Sequence, residues 1–168
     1  MNRKIRNTTP LIYKGIKYKS ILEVSCVKEL EKAGLNFRYE KEKFNIIEGF
    51  TPALHFYQSV QKGLVKQDKK NGDCIAMKPI SYTPDFWYGD DHVLIFIETK
   101  GYKNDVYPYK RKLFFRHMSE YKLRYKENME IYFFELKNVR DIKESINIIK
   151  DIIKNEYKKN IGLHKKIS

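Results

Sequence analysis

The chain has 168 residues, 42% of them hydrophobic and 14% aromatic, with 34 Lys and Arg against 21 Asp and Glu for a formal net charge of +13. Such a composition excludes a disordered tail and suits one domain with its own core. The surplus positive charge favours polyanionic partners, and the longest apolar run falls far short of the roughly 20 residues that span a bilayer. In chain order, residues 1–19 are basic and polar, without the long apolar stretch of a secretory leader, and Lys14-Gly15-Ile16-Lys17-Tyr18 reads as a short strand or extended arm. Ser20 opens a helix that runs to about Ala33 and is stopped by Gly34. In "FRYEKEKFNIIEGF", Phe44, Ile46 and Ile47 predict a strand. Residues 52–79 read as an insertion, with "PALHFYQSVQKG" as a short helix and "KQDKKNGD" as a charged turn or loop.

Ile80–Tyr88 and His92–Thr99 flank "GDD" and predict an antiparallel hairpin, with Gly89–Asp91 as its turn. Pro108 suits the first turn of a second helix, continuing to about Tyr125. "MEIYFFEL" follows as a strand. A last helix from Val139 to about Lys158 runs into the basic tail "KKNIGLHKKIS". The order αβββαβ predicts an α/β domain with a mixed central sheet flanked by helices, as one domain over residues 1–168 with a basic C-terminal helix and tail at about 139–168.

The apolar run Val93–Ile97 ends in Glu98-Thr99-Lys100. Side chains alternate along a strand, so Glu98 and Lys100 project from the same side, and the hairpin brings Asp85 beside them. Two carboxylates at one point repel each other, and a hard divalent cation between them relieves the repulsion. An ammonium group beside that ion can hold an attacking water and offset charge building on a phosphate, a combination suited to metal-assisted phosphodiester hydrolysis. The plainer alternative makes Glu98-Thr99-Lys100 the solvated end of a strand.

On the first helix, Leu22, Cys26, Val27, Leu30 and Ala33 share one arc, and Glu23 falls near its centre. Ser20-Ile21-Leu22-Glu23 also has the spacing of a capping box, in which Glu23 bonds back to the Ser20 backbone N–H. Taken alone the spacing favours the cap; Asp85 and Glu98 downstream move the preference towards an acidic site. On the second helix, Lys110, Arg111, Lys112, Arg116, Lys122, Arg124 and Lys126 read as a phosphate-gripping face or a solvated one, opposite a core cluster of Leu113, Phe114, Met118 and Tyr121. Cys26 and Cys74 lack C-x-x-C spacing and read as reduced thiols of a cytoplasmic protein. The four histidines, His55, His92, His117 and His164, show no zinc-site spacing.

"YTPDF" followed by "IETKG" resembles the PD-(D/E)XK nuclease superfamily. The wider run "YKGIKYKSILEVSCVKELEKAG", then "TPDF", "IETKGY" and "YPYKRKLFF", is similar to phage-type endonuclease I and Holliday-junction resolvases over roughly residues 13–116. This resemblance implies a restriction-endonuclease-like core and a Mg2+-dependent DNA endonuclease, with Mn2+ able to substitute. It implies that Asp85, Glu98 and the backbone carbonyl of Thr99 ligate the ion, that Lys100 orients the water, and that Glu23 completes the acidic cluster. Lys110, Arg111, Lys112 and Arg116 would grip DNA, branched DNA in particular. Symmetric cutting of a junction favours a homodimer. A phage enzyme of this kind would work in the host cytoplasm, with no membrane partner. The competing readings are a non-catalytic DNA-binding subunit with a nuclease fold, and a nuclease for ordinary duplex, single strands or RNA.

Overall fold

Lys14 and Gly15 both adopt positive φ, 49° and 78°, as a two-residue hairpin turn requires. They join β1 (Leu11–Tyr13) to β2 (Ile16–Tyr18), which pair antiparallel. The structure is a computed structural model that describes residues 11–67, 74–101 and 105–164. Helix α1 (Ile21–Lys32) starts at Ser20, whose hydroxyl accepts the Glu23 N–H. It ends at Gly34, φ 72°, where Gly34 N–H donates to the Glu31 carbonyl at 2.9 Å and Leu35 N–H to the Leu30 carbonyl at 2.9 Å. This pair of bonds is the Schellman arrangement, and it explains the stop at glycine.

Next come β3 (Arg38–Tyr39), β4 (Phe44–Ile47), β5 (Tyr57–Val60), β6 (Gly63–Lys66), β7 (Ile80–Tyr82), β8 (Phe86–Gly89) and β9 (Val93–Thr99). Helix α2 (Tyr107–Tyr125), β10 (Glu130–Leu136) and helix α3 (Val139–His164) complete the chain. The central sheet has the order β10-β9-β8-β3, with β10 parallel to β9 and the other pairs antiparallel, so the fold is α/β with a mixed sheet. One face packs Phe86, Ile95, Ile97 and Leu136 against α1 and α3; the other packs Phe96 with Phe114 and Met118 of α2. Strand β9 is therefore buried on both faces, which accounts for its nearly unbroken apolar sequence. Among the described residues no helix is long and apolar enough to cross a membrane.

Three expectations change. The segment expected as a short helix forms β5 and the turn to β6, an exposed antiparallel ribbon with Tyr57 opposite Lys66. Its tyrosine, serine and valine suit an extended chain, and Gly63, φ 114°, suits the turn. Ile80–Tyr88 is not one strand: β7 pairs with β4, and β8 pairs with β9. Pro84 between them lacks the N–H needed to continue a ladder and is fully buried at the crossing. The last helix runs beyond Lys158 to His164. The expected charged turn lies mostly in residues 68–73, and the end of the basic tail in 165–168, both outside the described residues.

Candidate active site

The register Phe86↔Ile97 of β8 and β9, continued by one residue, sets Asp85 opposite Glu98. Both are buried, as are Thr99 and Glu23. Asp85 Oδ2 accepts the Thr99 N–H and the Thr99 hydroxyl, each at 2.7 Å. Its Oδ1 accepts no hydrogen bond among the described residues. Glu98 Oε1 accepts from Lys100 Nζ at 2.8 Å and Oε2 from the Tyr82 hydroxyl at 2.9 Å. Burial first, and the Glu98 charge second, raise the Asp85 carboxyl from 3.8 to about 7. Burial and Glu98 also push the Tyr82 hydroxyl far up, so it stays a proton donor to that carboxylate.

Of these groups, Tyr82, Glu98 and Lys100 line a cleft of about 380 Å³, together with Val106, Tyr107 and Lys110 among others, and Asp85 lies behind them. A larger cavity, about 600 Å³, is walled by Phe44, Trp87, Leu94 and Met118 and contains none of these carboxylates. Lys100 Nζ also lies 4.7 Å from the centroid of the Tyr107 ring, a favourable cation–π distance.

Asp85, Glu98, Thr99 and Lys100 thus come together directly. Glu23 is placed differently. Its Oε2 accepts the Lys19 N–H at 2.8 Å and the Tyr39 hydroxyl at 2.6 Å, and its Oε1 accepts the Ser20 hydroxyl at 3.0 Å. The capping box exists, with Lys19 rather than Ser20 supplying the backbone donor. Glu23 acts on Asp85 through its charge, as a minor contributor to the raised carboxyl. Among the described residues no three His, Cys, Asp or Glu side chains converge as a metal-holding group.

On α2, Lys110 reaches the cleft and donates to the Ser81 carbonyl at 3.2 Å. Arg111 ion-pairs with Glu135. Lys112 is exposed, and Arg116 is exposed and paired with Glu120 at 2.8 Å. The apolar side of α2 buries Phe114 and Met118, with Leu113 and Tyr121 half-buried. "GDD" is a turn: Asp90 Oδ1 accepts the His92 and Val93 N–H groups at 2.8 and 3.0 Å. Both cysteines are free, and burial pushes the Cys26 thiol up, away from reactivity.

Three residues escaped the sequence reading: Tyr82, Tyr107 and Glu135. Glu135 stands beside Glu98 in the parallel β10–β9 register. The one available signal was the shared pattern of "IFIET" and "YFFEL", an apolar run ending in an acid.

The donor set suits a hard divalent cation. Asp85 and Glu98 are buried opposite each other, Asp85 Oδ1 is open, and an ion would share or displace one of the two bonds that Glu98 accepts from Lys100 and Tyr82. No family model, curated protein or solved structure matches the chain.

Proposed function

We propose that the protein is a divalent-metal-dependent DNA endonuclease of restriction-endonuclease-like fold, acting in the cytoplasm as a homodimer on branched DNA such as a Holliday junction. The observation that carries this reading is the register-opposed pair Asp85–Glu98, buried, with Lys100 bonded to Glu98 at 2.8 Å at the mouth of a basic cleft. Asp85, Glu98 and the Thr99 carbonyl would hold Mg2+, or Mn2+ in its place. When bound, the ion supplies Lewis-acid stabilisation of the charge that builds on the phosphate. Lys100, fixed by Glu98 and the Tyr107 ring, orients the attacking water. Tyr82 keeps its proton and holds Glu98 in place. Glu23 supports the cluster from α1 through its charge on Asp85. Lys110 meets the phosphate in the cleft, Arg111 lies beside it, and Lys112 and Arg116 extend the basic face along α2.

The engagement of Glu23 in the helix cap is the observation favouring a second reading, a DNA-binding subunit that keeps a nuclease core without cutting. One assay separates them: a labelled four-way junction and a matching duplex, incubated with Mg2+, Mn2+ or chelator, with Lys100→Ala as control. Paired nicks in the junction arms that need metal and fall at least about a hundred-fold in the variant are expected. Equal cutting of both substrates would remove the junction preference. Binding without cutting under either metal would replace the enzyme by the binding subunit.

A further inference from the structure

Tyr107, Arg111 and Phe115 follow one another at four-residue spacing on α2, so they lie along one stripe of the helix. The Arg111 guanidinium sits between the two rings, its Cζ 5.7 Å from the Tyr107 centroid and 5.8 Å from that of Phe115. Its Nη1 is ion-paired with Glu135 Oε2, which also accepts the Tyr107 hydroxyl at 3.0 Å. Two rings and a carboxylate therefore fix a side chain that would otherwise sample many rotamers. Yet its Nε is buried and makes no hydrogen bond among the described residues. A charged donor out of water without an acceptor is costly, so that cost is borne to hold the guanidinium in this one place. Because Glu135 is the register partner of Glu98, the anchored guanidinium is tied to the strand next to the reacting carboxylates.

We propose that Glu135 is a positioning residue, which holds Arg111 so that the exposed part of its side chain, 28% accessible, meets a backbone phosphate beside the cleaved one. The proposal rests on the DNA-directed reading above. Arginine suits this place because its planar fork can serve a carboxylate and a phosphate at once, which a lysine ammonium does less specifically. The rival role for Glu135, a counter-charge that neutralises Arg111 and repels DNA, predicts the opposite effect when the acid is removed.

The test measures binding of a labelled four-way junction in chelator, across a salt series, for wild type, Arg111→Ala, Glu135→Gln and the double variant. Arg111→Ala should weaken binding several-fold and reduce the salt slope by about one. Glu135→Gln should also weaken binding, by about three-fold or more, and the double variant should bind no worse than Arg111→Ala alone. Tighter or unchanged binding by Glu135→Gln, or additive losses in the double variant, would overturn the positioning role. Glu135→Asp guards against a folding artefact: it keeps the charge and withdraws the carboxylate by one methylene, so positioning predicts weaker binding and a counter-charge predicts none. Because binding is measured without metal, a wild type that binds here yet does not cut in the Mg2+ and Mn2+ arms of the cleavage assay would end the nuclease reading and leave this result standing. A wild type that binds neither junction nor duplex would end both.

Discussion

Burial and the neighbouring Glu98 raise the Asp85 carboxyl from 3.8 to about 7, so the folded chain keeps a proton there that the unfolded chain has already released. Between those two values the folded state binds more protons, and stability falls as pH rises through the window, then levels off above about 7. Asp85→Asn removes the penalty. In metal-free buffer at pH 8 it should melt on the order of 5 °C above wild type, with the gap closing as the pH falls to about 4. Thermal melts with chelator across that range check it; parallel curves would show that Asp85 titrates normally. Glu23 makes the contrasting case, because all its bonds are structural. Glu23→Gln places an amide against three donors and should cost about 2 kcal/mol in denaturant melts. Mn2+ affinity, read by calorimetry, should change by less than about two-fold, since the Glu23 carboxylate is held in the helix cap by Lys19, Ser20 and Tyr39 and, among the described residues, shares no hydrogen-bond partner with Asp85 or Glu98. A tenfold loss would make Glu23 a direct ligand.

Elements divide the labour in a way that single residues do not show. Asp85, just ahead of β8, and Glu98 of β9 supply the carboxylates, α2 supplies cations, and β7, from a neighbouring two-stranded sheet, lends the Tyr82 hydroxyl and the Ser81 carbonyl that accepts from Lys110. The Pro84 crossing makes that loan possible, placing Tyr82 and Asp85 three residues apart in sequence but in different sheets. By contrast, the β5–β6 ribbon contributes nothing to either core. Every residue of its two strands is exposed, including Tyr57 and Leu64. Replacing residues 57–66 with a short Gly-Ser link should therefore leave Tm within about 2 °C of wild type, measured by calorimetry. A larger fall would mean that the ribbon props the fold.

Across the whole molecule, what could be read in the sequence was local. The Ser20 cap and Gly34 stop of α1 follow from side-chain and backbone chemistry within a few residues. The double burial of β9 follows from its apolar run, and the pairing of Asp85 with Glu98 from the short turn at Asp90. The β7–β8 break was hidden because Ile80–Tyr88 looks extended throughout, and an extended pattern does not say which neighbour each half pairs with. The ribbon was misread because His55–Val60 spaces its apolar groups compatibly with either period, and no buried face decides between them. Glu135 was out of reach because its place depends on a parallel pairing across an intervening helix. That pairing has a consequence for how the protein comes to be competent. The strands bearing Glu98 and Glu135 meet only after the chain has looped out through α2 and returned, so the entropy of a long closure is paid before their contact rewards it. The Asp85–Glu98 pairing is local by contrast, and Lys100 comes with it. The α2 cations and the Glu135 anchor of Arg111 belong to the crossover, so the grip on a polyanion depends on the long closure and the acid pair does not.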